Sequence, residues 1–339
     1  MPHHRKILII RFSSIGDIVI ATAPLQTIRN AFPNAEIHFL TLDRFVPLLE
    51  CHPDIDRIIS FDPTTGLQGL MHFKEYIRSI GYDHVYDLHN SLRSRMICHG
   101  FTVPISRVKK PRISRFLLFQ FHWNTFNKDF STSTMYHECF KDSLLLDSPL
   151  PLPRLKVDRS EKITAQKMLL SHGIDDSFIV LIPGAAWGQK QWIADRYSAV
   201  VAKLHQYTDK RVIMLGSEND SICDEIFNLN RDLIDLSGKT SLRDALSIIS
   251  LADYAFGSDT GLLHAAEALG VPVSMILGPT SNETGAGVSL ASSKNIASNV
   301  WCRPCSQNGK RPCYRSRQFC MDQISIENVT GSITERLLA

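Results

Sequence analysis

Residues 6–32 read KILIIRFSSIGDIVIATAPLQTIRNAF, and this stretch decides the fold class. KILIIRF is an apolar run rich in β-branched residues, the pattern of a strand buried on both faces of a parallel sheet. SSIGD follows as a tight turn. IVIATAPLQTIRNAF then reads as a helix with Pro24 in its early part. Buried strand, short turn and helix in succession open a doubly wound α/β domain.

The alternation continues outward from there. PNAEIHFLTL (33–42), DRIISFD (56–62) and HVYDLH (84–89) read as further strands, with a short helix at 43–53 and a longer one at 65–82. The segment 104–158 is less regular, and Pro149, Pro151 and Pro153 give it the look of a linker. After it the pattern restarts with a helix at 161–173 and the buried strand FIVLI at 178–182. Strands at 211–217, 254–259 and 271–279 follow, separated by helices. The chain thus divides into two Rossmann-like halves, 1–155 and 156–324. A last helix fills 325–339, capped by Ser325, with Ile326, Val329, Ile333 and Leu337 on one face. Such a helix is expected to pack back across the domains.

A length of 339 residues suits two domains of roughly 150 each. At 44% hydrophobic and 21% charged, the composition excludes disordered and fibrous classes. The net charge of +3 favours no particular partner. No apolar run approaches the ~20 residues that span a bilayer. MPHHRK and the strand after it lack the long apolar core of a signal peptide. A cytoplasmic location is expected on these grounds.

Three stretches carry chemistry. SSIGD (13–17) lies where open α/β sheets bind ligands, at the carboxyl end of a strand, so Asp17 can point into a crevice or simply cap the helix. No G-x-G-x-x-G occurs there, which weighs against a dinucleotide fingerprint. PGAAWGQKQW (183–192) follows a strand; Gly184 permits a tight turn, and Lys190 precedes a helix. A lysine beside a helix start clamps diphosphate, although a solvated surface lysine is the plain alternative. In GSDTGLLHAAEALGVP (257–272), Asp259 and Thr260 sit at a strand-to-helix turn, with Gly261 at the helix start and His264 one turn on. Free amides there bind phosphate, and Asp259 can accept hydrogen bonds from sugar hydroxyls.

In this order and spacing the three stretches resemble the lipopolysaccharide heptosyltransferase family, glycosyltransferase family 9. YDLHNSLRSR near residue 90 and CMDQIS near 322 are lesser matches. The resemblance covers almost the whole chain. It implies a GT-B fold, two Rossmann-like doubly wound domains facing a cleft, with acceptor bound by the N-terminal half and nucleotide sugar by the C-terminal half. It implies inversion at the anomeric carbon without a metal, and heptose passing from ADP-heptose to a lipid-anchored glycan. Asp17 matches the general base, with Ser14 and Gly16 beside it on the acceptor side. Lys190 matches the lysine that contacts the donor. Asp259, Thr260 and Gly261 match the loop for donor sugar and phosphate, and His264 a family histidine. Gly184 falls in the donor loop. Glu218, after the strand RVIMLG, falls where a carboxylate can hold the ribose. Ala185 and Ala186 replace hydroxyl residues of some members, which puts phosphate contacts there in doubt. Asp54-Ile-Asp56 is formally D-x-D but lies in the wrong half, so it is read as a chance match. The rival classes are a relative with another nucleotide sugar or acceptor, a non-catalytic glycan-binding relative and a metal-cluster protein.

Between Leu88 and Lys128 there is no Asp or Glu, while Arg93, Arg95, Arg107, Lys109, Lys110, Arg112 and Arg115 fall within it. Aromatic residues interleave, in RFLLFQFHW (115–123) above all. A solvated face and a nucleic-acid surface are alternatives. The family favours a third reading, in which Arg93, Arg112 and Arg115 meet an anionic acceptor and the aromatics rest at the inner membrane face. Nucleic acid is then not an expected partner. Cys302, Cys305, Cys313 and Cys320 have the count for a structural zinc site, while reduced packing thiols, disulfides or an iron–sulfur site are alternatives. No cofactor is expected for catalysis.

Overall fold

A computed structural model of the protein describes residues 5–141 and 149–338; the first residues of MPHHRK lie outside these. The elements run β1 (Lys6–Ile10), α1 (Ile15–Ile20), α2 (Ala23–Ala31), β2 (Glu36–Leu42), α3 (Val46–Leu49), β3 (Arg57–Phe61), α4 (Gly66–Ser79), β4 (His84–Asp87), α5 (Leu92–Cys98), β5 (Ile105–Arg107), α6 (Arg112–Phe121) and α7 (Thr132–His137). After α8 (Arg159–Ser171) come β6 (Phe178–Ile182), α9 (Ala194–Leu204), β7 (Arg211–Met214), α10 (Ser221–Leu229), β8 (Ile234–Asp235), α11 (Leu242–Ile249), β9 (Tyr254–Ser258), α12 (Gly261–Ala268), β10 (Val273–Leu277), β11 (Lys294–Ala297), α13 (Phe319–Asp322) and α14 (Ile326–Leu337).

The strands form two wholly parallel sheets. One has the order β3-β2-β1-β4-β5 and the other β11-β10-β9-β6-β7-β8. Two compact units contain them: residues 1–110 with 132–156, and residues 111–131 with 157–339. Helix α6 therefore groups with the second unit, although its sequence lies in the N-terminal half.

The long helix read across Pro24 is in fact two, α1 and α2. Proline lacks an amide hydrogen and its ring crowds the carbonyl four residues back, so the chain breaks and restarts with Pro24 in a first turn. The short strands β5, β8 and β11 are additions to the sequence reading.

In the second unit, Ile179 and Leu181 of β6 enter one apolar cluster, while Phe178, Val180 and Ile182 enter another. The sheet is thus buried on both faces, which is why FIVLI is apolar throughout rather than alternating. Helix α14 packs on α9 within this unit. Val329 and Ile333 are fully buried there, with Ile326 and Leu337 against the same cluster. The Ser325 side chain caps α14 by accepting the Asn328 amide. No described helix is long and apolar enough to cross a membrane.

Candidate active site

Each sheet has one place where the winding direction reverses. It falls between β1 and β4 in the first unit and between β6 and β9 in the second. Loops leaving the carboxyl ends of two such strands diverge to opposite faces and leave a crevice, the usual ligand position in open α/β sheets. Asp17 follows β1, and Lys190 and Asp259 follow β6 and β9.

In the first unit, the SSIGD turn closes on itself. The Ser14 amide and hydroxyl both donate to Asp17 Oδ2, at 3.3 and 2.9 Å. Asp17 therefore does cap its own helix. It does more, because Arg11 Nη2 lies 2.8 Å from the same oxygen and the Tyr136 hydroxyl donates to Oδ1 at 3.3 Å. Arg11 is buried and is fixed in turn by donating from Nη1 to the Leu88 carbonyl at 2.8 Å. Burial drives the Asp17 pKa upward, but the Arg11 charge and the Ser14 hydrogen bonds outweigh it and hold the carboxyl below its usual range. Asp17 is thus a carboxylate at neutral pH, and its side chain keeps 38% of its surface exposed.

Side chains from the β4 end complete this crevice. Buried Asp87 accepts from the amides of His89 (3.1 Å) and Asn90 (2.7 Å) and from Ser94 Oγ (2.8 Å), which shapes the loop. The His89 ring meets Phe12 edge-on at 5.2 Å. Burial, with Arg11 and Lys110 nearby, pushes His89 down to about 3, so it is neutral. The Arg93 guanidinium lies 5.8 Å from the Phe12 ring and 5.7 Å from that of Phe61. Ser14, Gly16, Asp17 and Arg93 are thus gathered at one end of one sheet. Arg112 and Arg115 stand on α6, grouped with the other unit.

In the second unit, Lys190 and Asp259 meet. Lys190 Nζ lies 2.7 Å from Asp259 Oδ2, and Thr280 Oγ1 donates to the same oxygen at 2.8 Å. His264 Nε2 stands 3.8 Å from Oδ1. Burial pushes the Asp259 pKa up, but His264 and the Lys190 ammonium prevail and hold it far below the usual carboxylate range. Thr260 is the N-cap of α12 and Gly261 its first residue, so the first-turn amides point out beside this pair.

Backbone approach explains two glycines. A Cβ on Gly257 would meet the Ile182 carbonyl oxygen at 1.9 Å, at φ +153°. One on Gly184 would meet the Asp220 carboxylate at 2.5 Å. Glu218 follows β7 on an exposed loop, its backbone beside Gly238.

Sequence reasoning missed the braces of this site. Trp192 is buried and donates to the Met321 carbonyl at 3.2 Å, anchoring the end of the Lys190 loop. A Cβ on Gly309 would lie 2.5 Å from Lys190 Cγ, so the cysteine-bearing segment rests on the lysine stem. Arg303 donates to the carbonyls of Gly278 (2.9 Å) and Thr280 (2.7 Å). As for the cysteines, Cys302 and Cys320 lie in the apolar core. The four thiols stand close enough to interact electrostatically, Cys305 with Cys302 and Cys313 and Cys320 with all three, although among the described residues no three of the sulfurs come within 4.8 Å of one another. The D-x-D carboxylates are engaged elsewhere, Asp54 with Arg154 and Asp56 with Arg29.

Comparison with known proteins bears on what the two crevices bind. The profile of Glycosyltransferase family 9 (heptosyltransferase) matches residues 70–314. Lipooligosaccharide heptosyltransferase 2 of Haemophilus ducreyi is 27% identical over 295 residues, 81% of this chain and 84% of that protein. A glycosyl transferase family 9 structure from Veillonella parvula superposes with a TM-score of 0.79 at 18% identity, covering 99% of this chain and 98% of that one. The Escherichia coli ADP-heptose lps heptosyltransferase II structure gives 0.72 at 20% identity, covering 98% of each chain. These likenesses establish the two-domain α/β architecture as GT-B.

Proposed function

Since the chain belongs to glycosyltransferase family 9, the heptosyltransferase family, and is a glycosyltransferase, we propose that it moves a heptose from ADP-heptose onto the inner core of lipopolysaccharide. The first unit takes the acceptor and the second the nucleotide sugar. The single observation that carries this reading is the Lys190–Asp259 pair at the second switch point, beside the free amides of α12. A lysine with helix amides stabilises the charge that develops on a departing diphosphate, the role a divalent ion fills elsewhere. Asp259 orients that lysine, Thr260 and Gly261 present the amides, and Glu218 meets the ribose. In the first unit Asp17, ionised and partly exposed, removes the proton of the acceptor hydroxyl as the new bond forms. Arg93, in the same unit, neutralises acidic groups of the acceptor. The acceptor is lipid-anchored, which puts the protein in peripheral contact with the cytoplasmic face of the inner membrane.

Calorimetric titration with ADP, ADP-heptose, UDP and UDP-glucose, with EDTA throughout, tests the donor site. Micromolar binding of the ADP species, weakened about 10- to 100-fold in Lys190→Ala, is expected. Binding of UDP species instead would keep the fold and replace the donor. Binding that vanishes with EDTA would overturn metal independence.

The four cysteines are proposed as reduced thiols that pack the brace under Lys190, because two of them are core residues. Metal analysis of protein purified without chelator checks this. One zinc per chain would overturn it and mean that the four thiols hold the ion.

A further inference from the structure

The second unit exposes an aromatic patch assembled from two segments far apart in sequence. Ile113, Phe116, Phe121 and Trp123 on and after α6 are 77%, 57%, 65% and 64% exposed, and only Leu118 of that helix is buried. The Phe116 and Phe121 rings meet edge-on at 5.9 Å. Trp301, 68% exposed, joins them through the His122 ring at 5.8 Å, and the Arg315 guanidinium lies 5.4 Å from the Trp301 ring. Large exposed apolar clusters on a folded unit mark interaction surfaces, and aromatic rings with arginines suit a boundary between water and hydrocarbon.

Charge identifies the partner. There is no Asp or Glu in residues 88–128, and none in residues 284–321. The second of these segments adds Arg303, Lys310, Arg311, Arg315 and Arg317 to the arginines of α6. The same segment lays Gly309 on the Lys190 stem, so the patch stands at the end of the second sheet that carries the donor residues.

We propose that this composite patch, α6 with Trp123 and Trp301, docks the protein on an anionic lipid bilayer, the aromatic rings entering the headgroup region and the arginines meeting lipid phosphates. The proposal rests on the reading that the acceptor is lipid-anchored. Docking at this end brings the donor site to the surface where such an acceptor is held.

Co-sedimentation tests it, with vesicles of phosphatidylethanolamine and phosphatidylglycerol against pure phosphatidylcholine. The full-length protein is compared with Phe116→Ser/Phe121→Ser and Trp123→Ser/Trp301→Ser. The wild type is expected to bind the anionic vesicles and to be released by salt. Each double variant is expected to partition at least about tenfold more weakly, with melting temperature and ADP affinity unchanged. In the wild type, tryptophan emission should shift to the blue on the anionic vesicles. Wild-type protein that ignores anionic vesicles, or variants that bind them equally well, would overturn the proposal. So would capture by a single-stranded oligonucleotide, or by a second copy of the chain, in the absence of vesicle binding. ADP titration reports separately on the donor reading, so either can fail without the other.

Discussion

Removing the lysine from the buried Lys190–Asp259 pair should cost measurable stability, and the structure sets the size. Asp259 is 5% exposed and the Lys190 nitrogen is 2.7 Å away. At an effective dielectric of about 20, charges at that distance attract by about 6 kcal/mol, much of which offsets the desolvation of both groups. Breaking a buried pair by deleting one partner costs about 3–5 kcal/mol when nothing else compensates. Here the Thr280 hydroxyl and His264 stay beside the carboxylate. Lys190→Ala is therefore expected to cost about 2–3 kcal/mol, and a double-mutant cycle with Asp259→Asn to give a coupling of about 2 kcal/mol. Urea unfolding followed by tryptophan fluorescence suits the measurement, because Trp192 is buried at the end of the same loop. A coupling below about 0.5 kcal/mol would refute the reasoning, since that is the scatter of independent sites. In ADP titrations, Lys190→Ala should weaken binding by about 10- to 100-fold, the size of one charge-assisted contact.

Three further outcomes follow from the geometry. Asp17→Asn should lower kcat by about 10²–10⁴-fold with ADP affinity unchanged; because Asp17 sits below the usual carboxylate range, wild-type activity should show no acid limb from it between pH 5 and 7. His52 is 4% exposed, and burial followed by the Arg154 charge brings it down to about 4. It stays neutral in the fold while the unfolded chain takes up a proton below about 6.5, so its contribution is intact above that pH and is lost as pH falls toward 4. About 2 kcal/mol should go between pH 7 and 5, and His52→Gln should flatten that slope in urea unfolding. Gly257→Ala should fail to give folded protein, or melt far lower by circular dichroism, because its Cβ has no room against Ile182.

The sheets were legible because strands buried on both faces are apolar where they are buried, as in the ILII of β1 and in FIVLI. Strands β5 and β11 lack such a run, being ISR and KNIA with little or no full burial. The candidate site residues stood out for a related reason: Asp17, Lys190 and Asp259 each leave a strand end toward a helix, a position the pattern itself marks. Their partners were not. Tyr136 reaches Asp17 from 119 residues away, and Thr280 reaches Asp259 only because β9 and β10 are neighbours. Contacts of that kind are decided by packing, which leaves no period in the sequence.

The two carboxylates look alike in sequence, each in a turn after a strand, yet their surroundings suit them to different work in the proposed reaction. Both are paired with a cation and both are ionised. The Asp17 side chain keeps 38% of its surface open, whereas that of Asp259 keeps 6%. A general base must reach a substrate proton within hydrogen-bond distance, and only Asp17 has the open surface for that. Asp259 has Lys190 and Thr280 on one oxygen and His264 near the other, which leaves little of it for a sugar hydroxyl. Its surroundings suit it to fixing where the lysine charge sits before the donor arrives. A charge held in place by the fold needs no reorganisation as the diphosphate departs, which is where such a group gains its catalytic value.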